Sequence, residues 1–293
     1  MNTILVPTDF SVHAQNAALF AWQLAKYINA RVILCNAFNV PAEEVAAAQV
    51  AWPLEDYQSM QEASAEGLRS LAAGLEKRAD GEYAVMPEVS YVNEAGSVAD
   101  VVGALAVRER ALLVVMGTSP SGGLVRFLWG SKRNSLIEDV QVPLLLVPEN
   151  YGYKYPKRIA FATDWQESDI EVIQSLVSLA RHYQADILIT HVTDNKETNG
   201  SNSGNADEFL NQVTCKINYP HIYYRQINNG DVDEGLSWLS ENGGIDMLAM
   251  VHRRHPLIER LLKGSHTKTA AKHNQIPLLV FPANALQSGG KHF

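Results

Sequence analysis

The chain repeats itself. Residues 142–148 read Val-Pro-Leu-Leu-Leu-Val-Pro and residues 276–282 read Ile-Pro-Leu-Leu-Val-Phe-Pro. The offset of 134 also carries Gly130-Ser131 onto Gly264-Ser265, Met116 onto Met250 and Gly96 onto Gly230. Nearer the two starts the offset is 155, where Ile4-Leu5-Val6-Pro7-Thr8-Asp9 answers Ile159-Ala160-Phe161-Ala162-Thr163-Asp164. The first copy therefore holds about 21 residues more between those anchors. A chain of 293 residues built on one duplicated unit is constrained to two similar domains of ordinary size, and each difference between the copies becomes interpretable.

Within each copy, short apolar runs alternate with amphipathic stretches. Runs at 3–7, 31–35, 88–92, 112–116 and 143–147 are β-branched or leucine-rich and bounded by breakers, which predicts strands. Runs at 158–162, 186–191, 222–227, 246–251 and 278–281 repeat the order. Over 11–29, Ala14, Ala17, Ala18, Ala21, Leu24 and Ala25 form a stripe at helical spacing, and 98–110 and 131–139 repeat the pattern. Alternating helices and strands apolar on both faces predict an α/β fold with a parallel sheet covered on both sides. The boundaries that follow are a first domain at 1–149, a tyrosine-rich polar linker at 150–157, a second domain at 158–283 and a tail at 284–293. The extra residues of the first copy fall in an insertion at about 39–63. Its Trp52, Tyr57 and Met60 among acidic residues predict a helical flap, either over a pocket or simply packed on the surface. The counterpart at 193–205 reads as a mobile polar loop.

Composition removes several function classes. A net charge of −8 argues against general nucleic-acid binding. No apolar run approaches the roughly 18 residues that span a bilayer, so no membrane partner is expected. The N-terminus enters a strand with no basic region ahead of an apolar segment, which argues against a secretory signal. Cys35 and Cys215 form no metal or redox spacing. Cys35 reads as a buried thiol, and a reducing cytoplasm fits.

In an open parallel sheet, ligands bind beyond the carboxyl ends of the strands where the strand order reverses. Pro7, Thr8 and Asp9 follow the first strand. Gly117-Thr118-Ser119-Pro120-Ser121-Gly122-Gly123 follows the fourth, and Gly130-Ser131 opens a helix. A glycine-rich loop lets the backbone approach a phosphate, and a helix start offers unpaired N–H groups and a positive dipole end. Asp9 suits a ribose hydroxyl or else caps the following helix; Ser131 suits a phosphate oxygen or else is an N-cap. There is no HExxH, G-x-S-x-G elbow or P-loop, and Thr118, Ser119 and Ser121 have no base assignable from sequence. Catalysis is therefore not the leading expectation, and no catalytic residue is assigned. In the second copy, 251–273 holds Arg253, Arg254, Arg260, Lys263, Lys268, Lys272 and four histidines against the single acid Glu259. This basic cluster either holds an anion by charge-assisted bonds or is a solvated loop and helix. A zinc site from His252, His255 and His266 would lack a Cys or carboxylate at ligand spacing, so no metal is assigned.

Thr3-Ile4-Leu5-Val6-Pro7-Thr8-Asp9-Phe10-Ser11, the Val115-Met116-Gly117 strand end, Gly130-Ser131 and the closing Val142-Pro143-Leu144-Leu145-Leu146-Val147 resemble a universal stress protein (UspA-like) domain. The second half matches at the same landmarks, so the resemblance covers the chain as a tandem pair. It implies two Rossmann-like domains (adenine nucleotide alpha hydrolase-like), each a five-stranded parallel sheet of order 3-2-1-4-5 with helices on both faces. It also implies that the last strands, 142–147 and 276–281, pair across the domain interface. The chain would then be its own pseudo-dimer, with a homodimer of the whole chain left open.

The nucleotide-binding branch of that family carries G-x2-G-x9-G-[S/T] after its fourth strand. Gly117 fits the first position and Gly130-Ser131 the last, while Pro120 replaces the second glycine and removes a potential N–H donor. The resemblance thus implies an adenine nucleotide, ATP with Mg, in the first domain. Asp9 would hold the ribose, Gly117, Gly130 and Ser131 the phosphates, and Asn36-Ala37 the base through backbone groups. Pro7, Thr8, Met116 and Thr118 complete the candidate set. In the second domain Val251 and Arg254 replace the two glycines, leaving Asp164, Gly264 and Ser265, so binding in the family's manner is not expected there. The implied role is a cytoplasmic stress-response sensor or adaptor. The alternatives are a scaffold that holds no nucleotide and acts through protein partners, and a slow nucleotide hydrolase, which would lack a recognisable base.

Overall fold

The computed structural model describes residues 2–38, 54–78, 86–118, 136, 140–193, 202–253 and 276–283. The first half runs β1 (Asn2–Pro7), α1 (Val12–Ile28), β2 (Ala30–Phe38), α2 (Leu54–Glu76), β3 (Val89–Ala95), α3 (Val98–Arg108), β4 (Leu113–Thr118) and β5 (Leu144–Pro148). The second runs β6 (Arg158–Ala162), α4 (Asp169–Tyr183), β7 (Asp186–Thr193), α5 (Asn202–Lys216), β8 (Ile222–Asn228), α6 (Val232–Asn242), β9 (Met247–His252) and β10 (Leu278–Pro282). All ten expected strands are present, with ends shifted by at most three residues.

The helices start and stop for local reasons. Ser11 caps α1 by accepting the Ala14 N–H, and Asn29 closes it in the left-handed region (φ 50°). Between those caps the small residues Ala14, Ala17, Ala18, Ala21 and Ala25 are buried, which lets the helix lie close on the sheet. Ser97 caps α3 in the same way, accepting the Asp100 N–H.

The strands form one ten-stranded sheet, β3-β2-β1-β4-β5-β10-β9-β6-β7-β8. Counted from either outer edge, each half has the order 3-2-1-4-5. The pairing is parallel except at the centre, where β5 and β10 run antiparallel with Leu146, Leu145 and Leu144 opposite Leu278, Leu279 and Val280. The chain is thus its own pseudo-dimer. Alternation along these two strands sends Leu145, Val147, Leu279 and Phe281 to one face of the sheet and Leu144, Leu146, Leu278 and Val280 to the other. Both hydrophobic layers therefore run unbroken from one half into the other.

Several expectations need adjusting. Residues 54–63 of the insertion are the opening turns of α2, where Met60 is 40% exposed, while 39–53 with Trp52 lie outside the described residues. The polar stretch 193–205 is not one loop: Thr193 ends β7 and residues 202–205 open α5. Of the helix expected at 131–139, Leu136 alone is described, and it is fully buried. Residues 150–157 are held from both sides. Asn16 Nδ2 donates to the carbonyls of Pro148 and Tyr151 (3.0 Å each), Tyr151 Oη donates to Asp246 O (3.2 Å), and the Asp246 carboxylate accepts the N–H groups of Lys157 and Arg158. Cys35 is buried, and burial, aided by Glu94, pushes its thiol up to about 12.

In the first half a proline accompanies an early end of the ladder between β1 and β4. Leu112 N–H donates to Thr3 O, and Thr8 N–H donates to Cys35 O, so the odd-numbered residues of β1 face β4 and the even-numbered ones face β2. Pro7 therefore sits on the β4 side with no N–H to give. The β1–β4 ladder ends at Leu5 opposite Val114. In the second half Ala162 occupies that position, and the β6–β9 ladder continues to Ala162 opposite Met250.

Candidate functional site

The turn after β1 is built from its own polar groups. Thr8 Oγ1 accepts the Phe10 N–H (3.0 Å), and Asp9 accepts the Ser11 N–H (3.1 Å) and the Ser11 hydroxyl. The N-cap of α1 is Ser11, so Asp9 orients the cap and is not itself the cap. The Asp9 side chain is 55% exposed at the mouth of the crevice. His13, outside the candidate set, brings Nε2 to 2.9 Å from Ser11 Oγ and 3.7 Å from Asp9 Oδ2. Ser11 has one hydroxyl proton, and its contact with the Asp9 carboxylate uses it. With the Ser11 hydroxyl donating to Asp9, the His13 tautomer that fits is the one carrying its proton on Nε2. The signal for this group was an alternation, Asp9-x-Ser11-x-His13, across a strand-to-helix turn.

Gly117 stands where no side chain fits. A Cβ there would lie 2.1 Å from the His13 carbonyl oxygen, so the first turn of α1 rests directly on the end of β4. Met116 is wholly buried in the core and Thr118 is 4% exposed, its hydroxyl turned toward Val147 O. Both can offer a ligand backbone groups only. At the end of β2, Asn36 Nδ2 donates to Thr8 O (2.6 Å), and Ser64 Oγ of α2 lies 2.7 and 2.9 Å from the amide oxygens of Asn36 and Asn93. The Asn36 side chain thus pins the β1 turn to α2. Phe10, at φ 63°, lays its ring against Gly67 of α2, where an added Cβ would come within 2.8 Å. The structure therefore gathers Pro7, Thr8, Asp9 and Gly117 around the crevice, with Asn36 and Ala37 at the neighbouring strand end. Gly130, Ser131 and Pro120 lie outside the described residues, as do Arg254, Gly264 and Ser265 of the second copy.

The corresponding place in the second half carries an ion-pair cluster. By the 155-residue offset, Asp169 stands where the first copy has Ala14. It is fully buried, accepts the Thr163 hydroxyl (2.6 Å) and is gripped by Arg253. The same guanidinium bonds Asp164, the counterpart of Asp9, and donates to Ser168 Oγ (3.1 Å). Burial raises the Asp169 carboxyl above its usual value, against the pull of the bonds from Arg253 and Thr163. At the end of β7, His191 replaces Asn36 and directs Nδ1 at Thr163 O (2.9 Å), the same carbonyl that Asn36 holds in the first half. Trp165, at φ 65°, stacks on the His191 ring (centroids 4.7 Å apart) and packs edge-on against Phe209. Of the basic cluster, His252 and Arg253 are described; Arg253 does hold anions, but they are the chain's own carboxylates. Among the described residues no group of three His, Cys, Asp or Glu is arranged for a metal ion, and no helix is long and apolar enough to cross a membrane.

The family model described as the universal stress protein family matches residues 1–148 and 156–282. Among solved structures, the chain is similar to a universal stress protein from Archaeoglobus fulgidus DSM 4304, with 14% identity, coverage of 96% of this chain and 98% of that one, and a TM-score of 0.69. It is also similar to a functionally unknown protein from Pseudomonas aeruginosa PAO1, with 12% identity, coverage of 98% and 95%, and a TM-score of 0.55. A putative universal stress protein from Pseudomonas aeruginosa UCBPP-PA14 gives 13% identity, the same coverages and a TM-score of 0.54. At such identities the likeness concerns the fold. No curated protein sequence matches the chain.

Proposed function

Because the chain belongs to the universal stress protein family, we propose that it is a cytoplasmic stress-response sensor or adaptor whose first domain binds an adenine nucleotide. The observation that carries this reading is the contrast between the two halves. Asp9 presents a carboxylate held by Ser11 beside the β1–β4 ladder that stops short of Pro7, where Gly117 lets the first turn of α1 rest on β4. Asp164 is consumed by Arg253. One nucleotide per chain follows. Asp9 would hold the ribose hydroxyls, and the backbone at Gly117 would face the phosphates together with Gly130 and Ser131. Among the described residues no group of three His, Cys, Asp or Glu is arranged for a metal ion, so Mg would arrive on the phosphates of ATP and not in a protein cage.

Released small molecules from heat-denatured, freshly purified protein, identified by mass spectrometry, test this reading. Wild type is expected to release close to one adenine nucleotide per chain, and Asp9→Ala and Ser131→Ala to release none. Added Mg-ATP at about a hundred times its Kd should stabilise the wild type by roughly 2.7 kcal/mol. No nucleotide and no thermal shift would sink the proposal. That result would favour a scaffold acting through protein contacts, a reading supported by the burial of Met116 and Thr118 and the tied Asn36 side chain. A slow hydrolase is the least supported reading, since the Ser11 hydroxyl is directed at the Asp9 carboxylate.

A further inference from the structure

The joint between the halves contains a group of tyrosines for which the nucleotide reading has no use. Tyr27 projects from α1 of the first half, Tyr153 and Tyr155 from the segment that joins the halves, and Tyr183 from α4 of the second half. The Tyr27 ring lies 4.9 Å from Tyr155, 5.2 Å from Tyr183 and 6.5 Å from Tyr153, centroid to centroid. Tyr153 and Tyr183 touch through their hydroxyls at 3.2 Å. Tyr155 is 50% exposed and is the member of the group that solvent reaches most easily. Burial pushes the Tyr153 phenol up to about 12 and Tyr183 higher still, so those inner rings stay protonated at neutral pH.

We propose that Tyr27 and Tyr155 form an oxidative cross-linking site, at which peroxyl radicals join the two rings as dityrosine and staple α1 to the segment entering the second half. The chemistry balances with the oxidant named. Each phenol O–H gives one hydrogen atom to one peroxyl radical, which becomes a hydroperoxide. The two phenoxyl radicals couple through their ortho ring carbons, and the ring protons displaced at the new bond return to the oxygens. Two tyrosines and two peroxyl radicals thus give one dityrosine and two hydroperoxides. Of the ring pairs above, Tyr27 with Tyr155 is the closest, and it includes the accessible ring. Tyr223 and Tyr224, also exposed, are successive residues of β8 whose side chains leave opposite faces of the sheet, so they are placed badly for coupling to each other.

The sequence makes the product easy to read. Trypsin cuts after Lys26 and Arg31 and after Lys154 and Lys157, so the cross-link joins peptides 27–31 and 155–157 with the loss of two hydrogens. The experiment exposes the full chain to alkylperoxyl radicals from a water-soluble azo initiator, then digests the monomer band and searches for that pair. The pair is expected in wild type, with a raised unfolding midpoint for the oxidised protein because the staple restricts the unfolded chain. It should be lost in Tyr27→Phe, in Tyr155→Phe and in wild type oxidised in concentrated urea. Both Phe variants keep the ring and its packing, and their unreacted unfolding midpoints should match wild type. Oxidation products confined to other residues or to links between chains would overturn the proposal, as would an equal yield of the pair in urea.

Discussion

Asp9 and Asp164 follow equivalent strands, yet one meets a serine and a histidine and the other a guanidinium. The difference traces to two substitutions, Arg253 at the end of β9 and Asp169 at the start of α4, which neutralise one another in a buried setting. Their removal should not be symmetrical. The Asp169 carboxyl is raised, with burial the first cause, so the folded state binds more protons than the unfolded one across the acidic range. Stability then falls as pH rises from the unfolded value through the folded one, and the cost of the charge persists at neutral pH. Asp169→Asn is expected to be at least as stable as wild type at pH 7 and to flatten that acidic dependence in urea titrations. Arg253→Ala leaves a buried carboxylate with Thr163 as its remaining partner. It should lose about 3–5 kcal/mol at pH 7 and recover part of the loss as pH falls and Asp169 takes up its proton. Arg253 was visible in the sequence as part of a basic cluster, but its partners were not. They lie 84 and 89 residues away along the chain, and nothing local marks Asp169 as buried.

Helices α1 and α4 repeat one another but do not begin at the same point. By the offset, Val12 corresponds to Glu167, yet α4 starts at Asp169, two residues later, and its N-cap Ser168 makes no capping bond. Gly117 lets the first turn of α1 rest on β4; Val251 stands at that position in the second half, partly buried against the core. Gly117→Val should therefore impose the second-half arrangement on the first. The added side chain would meet the His13 carbonyl, and over-packing of this kind costs about 1–3 kcal/mol. Hydrogen exchange is expected to show lost protection in the first turn of α1, together with loss of any bound nucleotide. Unchanged exchange there would mean that α1 does not depend on the glycine. The strands and α1 were legible because their apolar periods and breakers are local. The extent of α2 and α5 was less so, because both open in polar stretches, 54–63 and 202–205, and take their helical form from packing farther along.

At the scale of the whole molecule, both cores cross the β5–β10 seam, so the two halves should lose structure together. Leu279 is 1% exposed, sits opposite Leu145 and belongs to the core layer shared by both halves. Leu279→Ala is expected to cost about 2–5 kcal/mol and to lower the unfolding midpoint of both halves, followed by far-UV dichroism and by a probe placed in each. Two separate transitions, with the first half unmoved, would show that the seam does not couple them. The duplication, the ten strands and the family were determined by the sequence alone, since repeats, apolar periodicity and breakers are written within short stretches. Which of the two equivalent aspartates is taken up by an ion pair was decided only by the tertiary structure. That depends on an arginine meeting two carboxylates distant in the chain, and such contacts exist only once the sheet has brought the strand ends together.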